Sequence, residues 1–175
     1  MKHRLAIWNW LRPRRDHSAA ALYSSCVHAA RQSFFYQNLG IPDTVDGRFD
    51  LLVLHLFLLL HRLKEHPARA AEITDLFFAD MDQNLRQMGV ADPGVGKRIR
   101  VMLDAFYGRI AAYESSRAED EALGAALIRN LYGTAPAPDA APPQLLAYVR
   151  RCEATLAALT AEDITSGHCR WPEAG

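Results

Sequence analysis

Cysteine is scarce in this sequence of 175 residues: Cys26, Cys152 and Cys169 lie far apart, with no C-x-x-C pair. Such spacing excludes a zinc framework or a disulfide scaffold, and suits reduced thiols in a cytoplasmic protein, packed as small hydrophobes. Net charge is missing as well. Lys+Arg and Asp+Glu both number 20, which argues against a nucleic-acid binder working through bulk charge. No apolar run approaches the roughly 18–20 residues of a membrane span. The nearest is Leu51–Leu60, interrupted by His55 and followed by His61, Arg62 and Lys64. Strand formers are few, with 7 Val and 7 Ile against 28 Ala and 22 Leu. That imbalance predicts an all-α protein.

Residues 1–15 carry Lys2, Arg4, Arg12, Arg14 and Arg15 without an acid, around Leu5, Ile7, Trp8, Trp10 and Leu11. The apolar stretch is too short for a signal peptide, and small residues before a cleavage site are lacking. Two readings stay open: an interfacial anchor on anionic lipid, or a basic terminus whose tryptophans dock on the core.

Periodicity and breakers predict a single-domain bundle of about six helices. A basic, Trp-containing segment (1–18) precedes a helical domain (19–160), and a polar tail (161–175) follows it. The helices run from about 19 to 38, 48 to 66, 69 to 88, 92 to 113, 119 to 132 and 144 to 159. Asp46 or a neighbour caps the second, Pro67 stops it, and Asp92-Pro93 opens the fourth. A Pro/Ala-rich linker, 133–143, precedes the last. Charge separates along the third and fourth helices. Glu72, Asp75, Asp80, Asp82 and Asp92 face one base, Arg86; then Lys97, Arg98, Arg100 and Arg109 face one acid, Asp104. Such helices pair with each other or flank a cleft.

The familiar chemical motifs fail on inspection. Gly94-Val95-Gly96-Lys97 lacks the Gly at Ala91 and the Ser/Thr at Arg98 that a phosphate loop needs. Asp80 and Asp82 point about 200° apart on a helix and cannot share one ion, whereas Asp82 and Arg86 can pair. His55 and His61 are six apart, which is no ligand spacing. His55 reads as a hydrogen-bonded core or cleft imidazole, with axial haem ligation as the alternative. No nucleophile elbow or Glu-x-x-His motif is present. An enzyme with an unrecognised site is therefore the third reading, behind an interaction module and a haem-handling protein.

Several runs in order carry a resemblance. They are Phe35-Tyr36, Leu39-Gly40-Ile41-Pro42-Asp43-Thr44, Gly47-Arg48-Phe49-Asp50-Leu51-Leu52 with His55, and Asp80-Met81-Asp82-Gln83-Asn84-Leu85-Arg86 with Met88-Gly89-Val90. Val95-Gly96-Lys97-Arg98, Ala105-Phe106-Tyr107-Gly108-Arg109 and Arg129-Asn130-Leu131-Tyr132 continue it. From about Tyr23 to Arg151 the chain resembles the ubiquinol–cytochrome c chaperone family, assembly factors for respiratory complex III. The resemblance implies an all-helical, non-enzymatic chaperone that needs no cofactor or metal and holds newly made cytochrome b. It implies partner-binding roles for Tyr36, Asp43, Arg48, Asp50, His55, Asp80, Asp82, Asn84, Arg86, Lys97, Arg98, Phe106, Tyr107 and Arg109, each of which equally suits holding the helices together. The chain looks like the short bacterial form, expected to be cytoplasmic and peripheral at the inner membrane through residues 1–15. Whether that form depends on a ribosome or on a small partner protein stays open, and no nucleic acid is expected.

Overall fold

Ten consecutive residues with only one polar side chain can be satisfied in water only if a helix is surrounded on all sides, and that is what happens to Leu51–Leu60. They form the middle of α3 (Val45–Arg62), where Leu51 through Leu59 are all buried. Each fully buried leucine contributes roughly 1.5–3 kcal/mol relative to exposure, so this helix organises the rest. In a computed structural model that describes residues 17–133 and 136–175, with 92 and 93 described in backbone only, α3 packs against four other helices. These are α1 (Ser18–Ala30), α5 (Asp92–Ser116), α6 (Asp120–Leu131) and α7 (Pro143–Ala157). α4 (Pro67–Gln87) lies against α1 and α5. Among the described residues there is no strand, so the all-α bundle is as expected, with six long helices and two short ones, α2 (Ser33–Gln37) and α8 (Ala161–Ser166).

The differences from the sequence expectation sit at helix ends. The helix expected over 19–38 is two, because Gln32 turns to an extended backbone and caps α2. Its side-chain amide is engaged elsewhere: Nε2 donates to the carbonyl of Pro172 at 3.2 Å, and Oε1 accepts from the Ala174 N–H at 2.7 Å. Thr44, not Asp46, caps α3, its hydroxyl accepting from the Gly47 N–H. Pro67 does not merely stop α3; it opens α4, where a first-turn proline loses no hydrogen bond.

The expected polar tail is a structured return. Thr160 and Asp163 close a capping box on α8, which buries Ile164 against α1. Beyond it Trp171 packs on the core, donates from Nε1 to Ser25 Oγ at 3.0 Å, and Ala174 is buried. Two polar side chains, Thr160 and Asp163, are spent on capping, which composition alone conceals, while Glu162, Thr165, Ser166, His168 and Arg170 face solvent. The expectation for residues 1–15 lies outside the described residues; among the described residues no helix is long and apolar enough to cross a membrane.

Candidate protein-interaction face

The residues singled out from the sequence converge on the opening turns of α3 and on the α4–α5 hairpin. The chain enters α3 so tightly that a Cβ on Gly47 would overlap the Pro42 carbonyl oxygen, so only glycine fits there. Fixed by that approach, Asp43 and Arg48 form an exposed ion pair, Nε to Oδ1 at 2.6 Å, which holds the Asp43 carboxyl below its usual range. Tyr36 lies alongside, its hydroxyl donating to the Ala30 carbonyl at 2.9 Å.

Two residues further along, Asp50 turns inward, its side chain 6% exposed, and meets Arg109 of α5 at 2.7 Å (Nη2 to Oδ1). The approach is off-line for a hydrogen bond, and Asp50 Oδ1 and Arg109 Nε have no hydrogen-bond partner. Burial outweighs the attraction of Arg109 and pushes the Asp50 carboxyl up to about 6. The Arg109 guanidinium also lies 5.5 Å from the centre of the Phe49 ring, a cation–π approach.

From Phe49 a seam of rings runs between α3, α4 and α5. Phe49 meets Phe77 at 5.9 Å, Phe77 meets Phe106 at 5.1 Å, and Phe106 meets Phe78 at 5.5 Å and Tyr107 at 5.2 Å. Phe106 is buried in this seam and is no surface anchor, whereas its neighbour Tyr107 is 56% exposed. On α4, Asp80 accepts a hydrogen bond from the Tyr23 hydroxyl of α1 at 2.7 Å, while Asp82 pairs with Arg86 one turn on at 2.6 Å. The two carboxylates thus look in different directions, as their spacing requires. Asn84 is exposed. Lys97 and Arg98, with Arg100, stand in solvent with no acidic partner among the described residues, so on these three cations the acidic and basic helices do not neutralise each other.

His55 does not belong to this face. It is wholly buried in the middle of α3, and both ring nitrogens are engaged. Nδ1–H donates to the Leu51 carbonyl at 2.7 Å, which leaves Nε2 to accept from the Tyr148 hydroxyl at 2.7 Å. Phe35 and Trp171 pack edge-on against the ring, and burial pushes its pKa down to about 4, keeping it neutral. No nitrogen is left for a partner or an iron.

Sequence reasoning did not single out Phe49, Tyr23 or the exposed Met88 and Val101 as parts of this surface. Phe49 stood inside a quoted run, and its position one residue before Asp50 was the available signal. Val101 lies opposite the apolar stripe of α5, which was the available signal for its exposure, whereas exposure of Met88 at the end of α4 has none.

The fold and this face define an all-helical module built around one apolar central helix, with its distinctive polar and aromatic side chains on the opening turns of that helix and on the α4–α5 hairpin. Residues 37–171 match the family model described as Ubiquinol-cytochrome C chaperone, and the chain belongs to that family. It is 28% identical over 160 residues to the mouse ubiquinol-cytochrome c reductase complex assembly factor 1, covering 88% of this chain and 54% of that protein. The Xenopus laevis protein of that name is 29% identical over 161 residues, covering 88% of this chain and 80% of the relative. The chain thus spans about half the length of the mouse relative. Among solved structures, the Cbp3 homolog from Brucella abortus superposes with a TM-score of 0.78 at 37% identity, covering 90% of both chains.

Proposed function

We propose that this protein is a non-enzymatic chaperone in the assembly of ubiquinol–cytochrome c reductase, and that its client is newly made cytochrome b. The family membership supports the assembly role, and the names of the vertebrate relatives point to the same complex. One observation carries the choice of surface. The matched runs of α3, α4 and α5 come together around the ring seam, Tyr107 stands exposed next to Phe106 of that seam, and the same runs carry solvent-facing polar groups of both signs: Asp43, Arg48, Asp82, Asn84 and Arg86.

A half-inserted membrane protein offers loops of mixed charge next to apolar segments, and such a seam meets both. Tyrosine supplies contact area at low entropic cost, while the charges set encounter rate and register more than affinity. Asp50, Phe106 and Arg109 shape this face from below.

Photo-crosslinking in cells from positions Tyr107 and Asp82 tests the reading. Cytochrome b should be captured from both, and Arg86→Glu should weaken capture while leaving helical circular dichroism intact. Equal capture by parent and variant would remove the charges from the interface. Absence of cytochrome b from both crosslinked positions would overturn the client assignment.

A further inference from the structure

The end of the α4–α5 hairpin stands away from the bundle. Leu85 and Val95 are buried, yet neither belongs to the main core cluster. Ile99, Met102 and Leu103 are only half-covered and are not among the residues packed on that core. The turn itself is a rigid Schellman closure. Gly89 adopts a φ of 81°, its N–H donates to the Arg86 carbonyl at 3.0 Å, and the Val90 N–H reaches the Leu85 carbonyl at 3.1 Å.

On the outward side of this arm, apolar and cationic side chains alternate. Met88 is 54% exposed at the turn and Val101 62% exposed on α5. Lys97 lies one helical turn before Val101, with Arg98 and Arg100 flanking it, and none of the three has an acidic partner among the described residues. Gly108 adds no side chain to that side, and Asp104 is its acid, one turn further from the tip.

We infer that this arm tip is a membrane-surface contact that docks on anionic phospholipid, with Met88 and Val101 dipping into the headgroup region and Lys97, Arg98 and Arg100 on lipid phosphates. The described grooves lie elsewhere, one under Trp171 and the C-terminal residues and the other between Leu39, Tyr132 and the proline-rich linker, so neither offers a cleft at the tip in which an acidic peptide could lie. Long basic side chains around exposed apolar ones form the pattern that settles at an interface, their stems lying along the acyl boundary and their charges at the phosphates. The inference does not depend on the identity of the client.

Vesicle co-sedimentation of the full chain tests it, comparing phosphatidylcholine alone with phosphatidylcholine containing about a third phosphatidylglycerol. The parent should bind the anionic vesicles and lose them as salt rises. Each cation near such a surface is worth roughly a fivefold change in partition, so K97Q/R98Q/R100Q should weaken binding on the order of a hundredfold. M88S/V101S should weaken it less, and by a factor that salt does not change. Both variants alter exposed positions, and circular dichroism checks that they fold as the parent does.

Equal binding to neutral and anionic vesicles would overturn the inference, and so would unchanged binding by the triple variant. Loss of binding only when the basic residues of 1–15 are neutralised would assign the contact to that segment instead. If the triple variant kept its lipid but lost its crosslinked protein, the tip would be a protein-binding surface.

Discussion

Replacing His55 by glutamine should make the protein less stable at neutral pH but remove most of the penalty under mild acid. The side chain is fully buried, donates to the Leu51 carbonyl and accepts from the Tyr148 hydroxyl, so at pH 7 its loss should cost about 1–3 kcal/mol. The pH dependence follows from its depressed pKa, about 4 in the folded state against 6.5 ordinarily. Between those values the unfolded chain takes up a proton that the folded one refuses. The contribution of neutral His55 is therefore complete above pH 6.5 and drains away as pH falls towards 4. At about 1.4 kcal/mol per pH unit, a gap of this size amounts to at most about 3.5 kcal/mol. Asp50 works the other way, because its pKa is raised to about 6 from 3.8. Its contribution is full below 3.8 and lost as pH rises through 6. The two nearly cancel in the parent between pH 4 and 6, so the informative quantity is the difference between parent and variant. Urea unfolding followed by circular dichroism at several pH values from 7.5 to 4.5 should show that difference shrinking by roughly 2–3 kcal/mol. A constant difference would mean that His55 is not held neutral, and would refute the buried tautomer described above.

The same design with Asp50→Asn should give the opposite slope. Relative to the variant, the parent should lose on the order of 1–2 kcal/mol as pH climbs from 4 to 7, a figure reduced for partial solvent screening, and parallel curves would refute it. Gly47→Ala forces a methyl group into the Pro42 carbonyl and should cost about 1–3 kcal/mol, read as a lowered thermal midpoint. Gly108→Ala, in the open face of α5 where a Cβ meets nothing within 4 Å, should instead stabilise by about 0.5–1 kcal/mol. If both glycine variants moved the midpoint in the same direction, the close approach at Gly47 would be wrong.

The parts of the fold that depend on local chemistry were readable in the chain. The three- and four-residue steps of Ile99, Met102, Phe106, Ile110 and Tyr113 place α5, and Phe106 and Tyr113 are indeed buried. Gly89 and Pro93 bracket the α4–α5 turn where a positive φ and a first-turn proline are wanted. What could not be read depends on distant partners. The break after Arg31 is held by Gln32 gripping residues 172 and 174, some 140 positions away. The fate of the last fifteen residues hangs on Trp171 finding Ser25 and His55. A T-x-x-D cap at Thr160–Asp163 was the local hint that this stretch is no loose tail.

Reading the site from family resemblance has a different weakness, and the folded arrangement shows why. A run such as Gly47-Arg48-Phe49-Asp50 contains four residues with four jobs. Gly47 allows the close entry at Pro42, Arg48 faces solvent beside Asp43, Phe49 joins the ring seam, and Asp50 points inward to Arg109. Ala105-Phe106-Tyr107-Gly108-Arg109 divides in the same way, with Phe106 inside the seam, Tyr107 out in water and Arg109 between them. Helical geometry imposes this division, since adjacent residues point about 100° apart and no short run can lie entirely on one face. A motif therefore marks where fold and function share a helix without saying which residue serves which. The burial pattern makes that separation: Asp50, His55 and Phe106 are buried between helices, while Tyr107, Arg86, Lys97 and Arg98 are exposed. Changing the first group should move stability, with client capture falling only as folded protein is lost. Changing the second should move capture or membrane binding at constant stability.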